Sequence, residues 1–82
     1  MDAPAMPHNI LFVQGLPLTV DAAVLRALFA QFPLFKEVRT VEARPGIAFV
    51  EYGHEAAAGA AMAGLQGFQL EGESMSITYA RR

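Results

Sequence analysis

The 82-residue chain contains no cysteine and no tryptophan. Without a thiol it can form no disulfide scaffold, no thiolate zinc site and no Cys-pair heavy-metal site. It has two histidines, His8 and His54, which read as solvent-exposed loop residues, too few and too lacking in partners to hold a metal. No metal and no cofactor are expected. Positive charge is also scarce: Lys and Arg number 6, Asp and Glu 8, and the net charge is −2. This balance argues against a domain that grips nucleic acid mainly by phosphate attraction. No apolar run approaches the roughly 18–20 residues of a membrane span, so no membrane role is expected. Residues 1–9 lack the basic region and apolar stretch of a signal peptide, and nothing there points to secretion.

What the chain does have is apolar bulk. Hydrophobic residues make up 54%, too many for intrinsic disorder at this low charge. Much of that fraction is alanine, which discounts the core it can build. The length suits one small domain, near the lower limit at which a single core suffices.

Residues 1–9, with two prolines and no periodic pattern, read as a flexible arm or linker remnant, and residues 10–82 as the domain. Ile10 to Gln14 is a continuous apolar run that suits a buried central strand. Thr19 is the expected N-cap of a first helix, with Asp21 in its first turn. Val24, Leu25, Leu28, Phe29 and Phe32 then recur at helical spacing, and Pro33 ends the pattern. Phe35 to Val41 reads as a second strand with Phe35 and Val38 inward. Arg44-Pro45-Gly46 is a turn. Ile47 to Tyr52 is the strongest strand signal, both β-branched and aromatic. Glu55 to Leu65 is an alanine-rich helix with Ala58, Ala61, Met62 and Leu65 as its inward stripe, ended by Gly67. Glu71-Gly72-Glu73 is a turn. Ser74 to Ala80 alternates, with Met75, Ile77 and Tyr79 on one face and Ser76, Thr78 and Ala80 on the other.

The order β-α-β-β-α-β predicts an α+β, ferredoxin-like sandwich: a four-stranded antiparallel sheet with two helices on one face. The other face then meets solvent, and what it carries should decide function. Alternation sends Leu11 and Val13 toward the helices and Phe12 and Gln14 outward. In the third strand Ala48, Val50 and Tyr52 point in, so Ile47, Phe49 and Glu51 point out. Glu37, Arg39 and Val41 point out from the second strand, and Ser76, Thr78 and Ala80 from the last. The first and third strands are central neighbours in this topology, so Phe12 and Phe49 should lie side by side and exposed. Burying them instead would expose Leu11, Val13, Ala48 and Val50, because a one-residue slip flips the whole set. Adjacent exposed aromatics on a sheet form a stacking platform for unpaired bases, at about 1–3 kcal/mol per base.

The residues that carry this platform also resemble a known family. Leu11-Phe12-Val13-Gln14-Gly15-Leu16 looks like the hexamer of the RNA recognition motif family. Pro45-Gly46-Ile47-Ala48-Phe49-Val50-Glu51-Tyr52 looks like its octamer. Leu25, Leu28, Phe29, Ala61, Leu65 and Tyr79-Ala80-Arg81 resemble its supporting positions. The runs ILFVQGLP, LFAQFPLFKEVR, IAFVEY, LQGF and ITYARR are similar to the second such domain of the spliceosomal ribonucleoprotein A / B-double-prime group. The resemblance implies a nuclear, splicing-linked module whose partners are single-stranded RNA (small nuclear RNA or pre-mRNA) and spliceosomal proteins, monomeric as an isolated domain.

The chain departs from the octamer at two places: Pro45 stands where Lys or Arg is usual, and Ile47 where an aromatic is usual. Arg39 is opposed by Glu37 and Glu51, and the remaining basic groups near the face, Arg81 and Arg82, lie past the last strand. The expected RNA contacts are therefore Phe12, Gln14, Arg39, Ile47, Phe49, Ser76, Thr78, Arg81 and Arg82, with stacking dominant, affinity low and salt dependence shallow.

Enzyme and protein-docking readings compete with this one. Phe12-Val13-Gln14-Gly15 superficially resembles the acylphosphatase phosphate loop, but the next Arg is Arg26, deep in the first helix, and the only Asn is Asn9. Glu37 and Glu51 sit on a flat solvated face with no cleft to raise either pKa for acid–base work. No enzyme is expected. The alternative is a protein-interaction module: Ala56, Ala57, Ala60 and Ala63, with Gly59 and Gly64 among them, lie off the inward stripe and offer a smooth docking face.

Overall fold

The computed structural model describes residues 6–81, so Met1 to Ala5 of the expected arm, and Arg82, lie outside the described residues. The chain runs β1 (Ile10–Gln14), α1 (Ala22–Phe29), β2 (Phe35–Thr40), β3 (Ala48–Tyr52), α2 (Glu55–Leu65), β4 (Gln69–Leu70), β5 (Glu73–Ser74) and β6 (Ser76–Tyr79). Strands β2-β3-β1-β6 form one four-stranded sheet, paired antiparallel throughout. The α+β, ferredoxin-like arrangement expected from the sequence is the one observed.

The core lies between sheet and helices. Leu11, Val13, Ala48, Val50, Tyr52 and Ile77 supply the sheet side, and Leu25, Phe29, Ala58, Ala61 and Leu65 the helical side. Strand parity explains the sheet set: Val38, Val50, Leu11 and Tyr79 stand in one row across four strands, and Ala48, Val13 and Ile77 in the next inward row. Alanine on α2 lets that helix settle close to the sheet. Tyr52 is fully buried, its edge meets Phe35 at 5.8 Å, and its hydroxyl donates to Phe29 O at 2.6 Å. Burial pushes its pKa up to about 12.

Phe35 and Val38 both face inward although they are three residues apart, which strict alternation forbids. The ladder resolves this with a β-bulge. Phe35 stands opposite Tyr52 and Glu37 opposite Glu51, so Lys36 is the extra residue on β2 and restores the parity.

Several local expectations are corrected. Asp21, not Thr19, caps α1: its Oδ1 accepts from Val24 N at 3.1 Å. The Thr19 hydroxyl instead donates to Glu71 Oε1 at 3.0 Å. Ile47 precedes β3 and Val41 follows β2. His54 is more than a loop residue, because its Nδ1 accepts from Ala57 N and caps α2. His8 is half-buried, and its Nδ1 accepts from Ile10 N at 3.1 Å. The last strand begins at Ser76 rather than Ser74, because residues 69–74 fold into the small β4–β5 hairpin. Two-residue strands are too short for a period to register in the sequence. Ala80 shares the parity of Ser76 and Thr78 but is buried, at 7% exposure, while its N–H donates to Ile10 O.

Candidate nucleic-acid interface

The face away from the helices is organised by register. Arg39 stands opposite Phe49, Phe49 opposite Phe12, and Phe12 opposite Thr78, so these four form one row across all four strands. The Phe12 and Phe49 rings are 5.3 Å apart at their centroids and tilted by 38°, and both are half-exposed. At this separation the rings support each other while leaving surface open. Gln14 and Ser76, both exposed, stand opposite each other at one end of the row's central pair. Gly15 then turns the chain with φ +76°, and a Cβ there would lie 2.6 Å from Ser74 O. Only glycine allows β1 to leave the sheet this close to the end of β5.

The other side of the row carries charge. Glu37 and Glu51 are direct cross-strand partners, a pairing that like charges disfavour. Arg39 offsets it by donating from Nε to Glu37 Oε2 and from Nη2 to Glu51 Oε1, the latter at 3.1 Å. The guanidinium is therefore held by two carboxylates, and the cluster carries a net negative charge. Ile47 is half-buried at the start of β3, and Arg81 is exposed just past β6. Arg82 lies outside the described residues.

Of the expected contacts, the structure thus brings Phe12, Phe49, Arg39 and Thr78 into one row, with Gln14 and Ser76 beside them and Ile47 and Arg81 at the margins. One residue missed by the sequence reading also lies on this face. Ile10 has the parity of Phe12 and stands opposite Glu51, extending the apolar strip by one row. Parity alone would have placed it there. The alternative alanine face is smaller than expected. Ala56, Ala60 and Ala63 are exposed, but Ala57 is buried at 6%. Gly59 and Gly64 make room for aromatic groups: a Cβ would fall 2.9 Å from the Tyr79 hydroxyl and 2.5 Å from Phe32 Cζ respectively. The first turn of α2 leans further onto the core than an ideal inward stripe implies.

Among the described residues no group of three or more His, Cys, Asp or Glu is placed to hold a metal ion, and no helix is long and apolar enough to cross a membrane.

A four-stranded antiparallel sheet backed by two helices, with paired aromatics on its two central strands, has the architecture of a sheet-based RNA-recognition module. The chain belongs to the RNA recognition motif family, whose model matches residues 11–76. Over 82 residues it is 48% identical to the U2 small nuclear ribonucleoprotein B'' of Oryza sativa subsp. indica, covering 99% of this chain and 35% of that protein. It is 42% identical over 76 residues to the U1 small nuclear ribonucleoprotein usp102 of Schizosaccharomyces pombe, covering 93% of this chain and 30% of that protein. The chain thus spans about a third of the length of these curated relatives. Among solved structures, the second RRM domain of the yeast poly(U)-binding protein Pub1 superposes with a TM-score of 0.79 at 29% identity, covering 89% of this chain and 94% of that one. The chain is an RRM domain homologous to U1 and U2 small nuclear ribonucleoprotein components.

Proposed function

We propose that this domain binds single-stranded RNA on its open sheet face, as the second RRM of a nuclear, spliceosomal ribonucleoprotein component acting in pre-mRNA splicing. The observation that carries this reading is the half-exposed Phe12–Phe49 pair at 5.3 Å, held by direct register on the two central strands. Two bases stack there. Gln14, Ser76 and Thr78 offer side-chain hydrogen bonds beside the stack, Ile47 gives an apolar edge, and Arg81 and Arg82 meet the backbone past β6. Affinity is low, because the cation nearest the stack, Arg39, is already held by Glu37 and Glu51. Homology to U1 and U2 ribonucleoproteins supports the splicing assignment, and with it the nuclear location and the company of other spliceosomal proteins. Titration of the labelled domain with U-rich, CA-rich and mixed short RNAs at millimolar concentration should shift the NMR signals of Phe12, Phe49 and Thr78. Silence at all of them rejects the reading for the isolated domain.

The same charge arrangement favours a second reading, an RRM-fold protein-interaction module with little RNA binding, presenting the exposed Ala56, Ala60 and Ala63 of α2. It requires that Ala60→Glu disrupt capture of a nuclear protein partner while Phe12→Ala leaves capture intact. The reverse pattern rejects it.

A further inference from the structure

At the end of the sheet where β1 leaves for α1, the loops enclose a cavity of about 260 Å³. Its walls are the β1–α1 loop, the start of α1 and the β2–β3 loop. Leu16 N donates to Gly46 O at 3.1 Å and ties the two loops together. The lining is mixed: Leu16, Leu18, Val20, Leu25, Val41 and Ile47 supply an apolar part beside Thr40 and two acids, and Leu18 is itself 76% exposed. The charged residues that line it are both acids, Asp21 and Glu42. Arg44 lies on the same β2–β3 loop but is not part of the wall. Asp21 gives one carboxylate oxygen to the α1 cap. Its other oxygen and both oxygens of Glu42 have no hydrogen-bond partner among the described residues. A third acid, Glu71, is joined to the β1–α1 loop through Thr19.

We propose that this cavity is a docking site for a short basic peptide segment of a protein partner: one apolar side chain fills the cavity and flanking Lys or Arg side chains pair with Asp21 and Glu42. The volume suits one aliphatic or aromatic side chain. Buried apolar area anchors the segment, and the unpaired acids at the rim select its charge. The same acids repel a phosphate backbone, which is why a peptide rather than RNA is the occupant. The site is distinct from the Phe12–Phe49 platform and meets it only at Ile47, so its test is independent of RNA binding.

The probe is the blocked peptide acetyl-Arg-Arg-Leu-Arg-Arg-amide, titrated into the labelled chain and followed by NMR. Shifts are expected at Leu18, Asp21, Ala22 and Glu42, residues outside the RNA platform, and none with the matched peptide in which Glu replaces each Arg. Asp21→Asn combined with Glu42→Gln should weaken binding at least tenfold. Asn caps a helix as well as Asp does, so the fold is retained, and an unchanged spectrum elsewhere confirms this. No shift at millimolar peptide, binding unaffected by the double variant, or stronger shifts of these residues with a short single-stranded RNA would each overturn the proposal.

Discussion

Phe12 and Phe49 face each other across the β1–β3 ladder, 5.3 Å between ring centroids, because both lie on strands whose alternate residues fill the core. Their exposure follows from the burial of Leu11, Val13, Ala48 and Val50, each at 0%. The platform is thus fixed by the same parity that builds the interior.

Removing the rings should therefore separate binding from folding. Phe12→Ala and Phe49→Ala are each expected to weaken RNA binding by about 1–3 kcal/mol, roughly fivefold to 150-fold, as for loss of one stacked base. The double variant should show no detectable binding while its circular dichroism and NMR dispersion remain those of the folded domain. Loss of the folded spectrum would mean that the rings belong to the core.

Most of this arrangement was legible in the sequence, because period-two alternation fixes faces without knowledge of partners. The Phe12–Phe49 contact and the outward Arg39, Ser76 and Thr78 followed from it directly. What was not legible depended on local exceptions. Lys36 forms a bulge that no alternation rule marks. Asp21 captures the α1 cap because Thr19 is drawn away by Glu71, a residue 52 positions later. An ideal helical stripe puts Ala57 outside, because it ignores how far the first turn of α2 leans onto the sheet.

The Glu37–Arg39–Glu51 cluster makes a prediction of opposite sign. Replacing both acids by glutamine takes the net charge from −2 to 0 and frees Arg39 to meet phosphate. RNA affinity should rise several-fold, and the slope of log affinity against log salt should steepen by about 0.7 per phosphate gained. Stability should change by no more than about 0.5 kcal/mol, since exposed ion pairs contribute little. Isothermal titration at two or more salt concentrations reads both effects. A fall in affinity would show instead that a carboxylate touches the base.

Tyr52 ties the end of β3 to the end of α1, and its ionisation sets an alkaline limit on stability. Its pKa is raised from 10.0 to about 12 by burial, so between these values the folded state holds a proton that the unfolded state has released. Stability is therefore fully present below pH 10 and declines as pH rises toward 12. Tyr52→Phe should lose this contribution to the decline. At neutral pH it should cost only about 1 kcal/mol, because Phe29 O keeps a second donor, Phe32 N at 3.2 Å, when the hydroxyl is gone. Urea midpoints at pH 7, 10 and 11 check both statements.

The outer edge of β6 is met at Ile77 by a single side chain. Ala80 N bonds to Ile10 O, so in this antiparallel ladder Thr78 and Ser76 turn their backbone groups toward β1, and Ile77 turns its own outward. Gln66, just past α2, meets both groups: its Nε2 donates to Ile77 O at 2.7 Å and its Oε1 accepts from Ile77 N at 2.8 Å. The carboxamide thereby stands in for one residue of a neighbouring strand. Gln66→Ala strips donor and acceptor together and should cost about 1–2 kcal/mol, less than two full hydrogen bonds because water reaches this edge. Gln66→Glu keeps an acceptor for Ile77 N but sets a carboxylate against Ile77 O, so it should be no more stable than the alanine variant at neutral pH. Hydrogen exchange gives the local test. The Ile77 amide should lose protection in Gln66→Ala by more than the global loss of stability requires, while the Thr78 amide, facing β1, should follow the global value. Equal behaviour of the two amides would mean that the side chain adds nothing to the edge beyond its place at the end of α2.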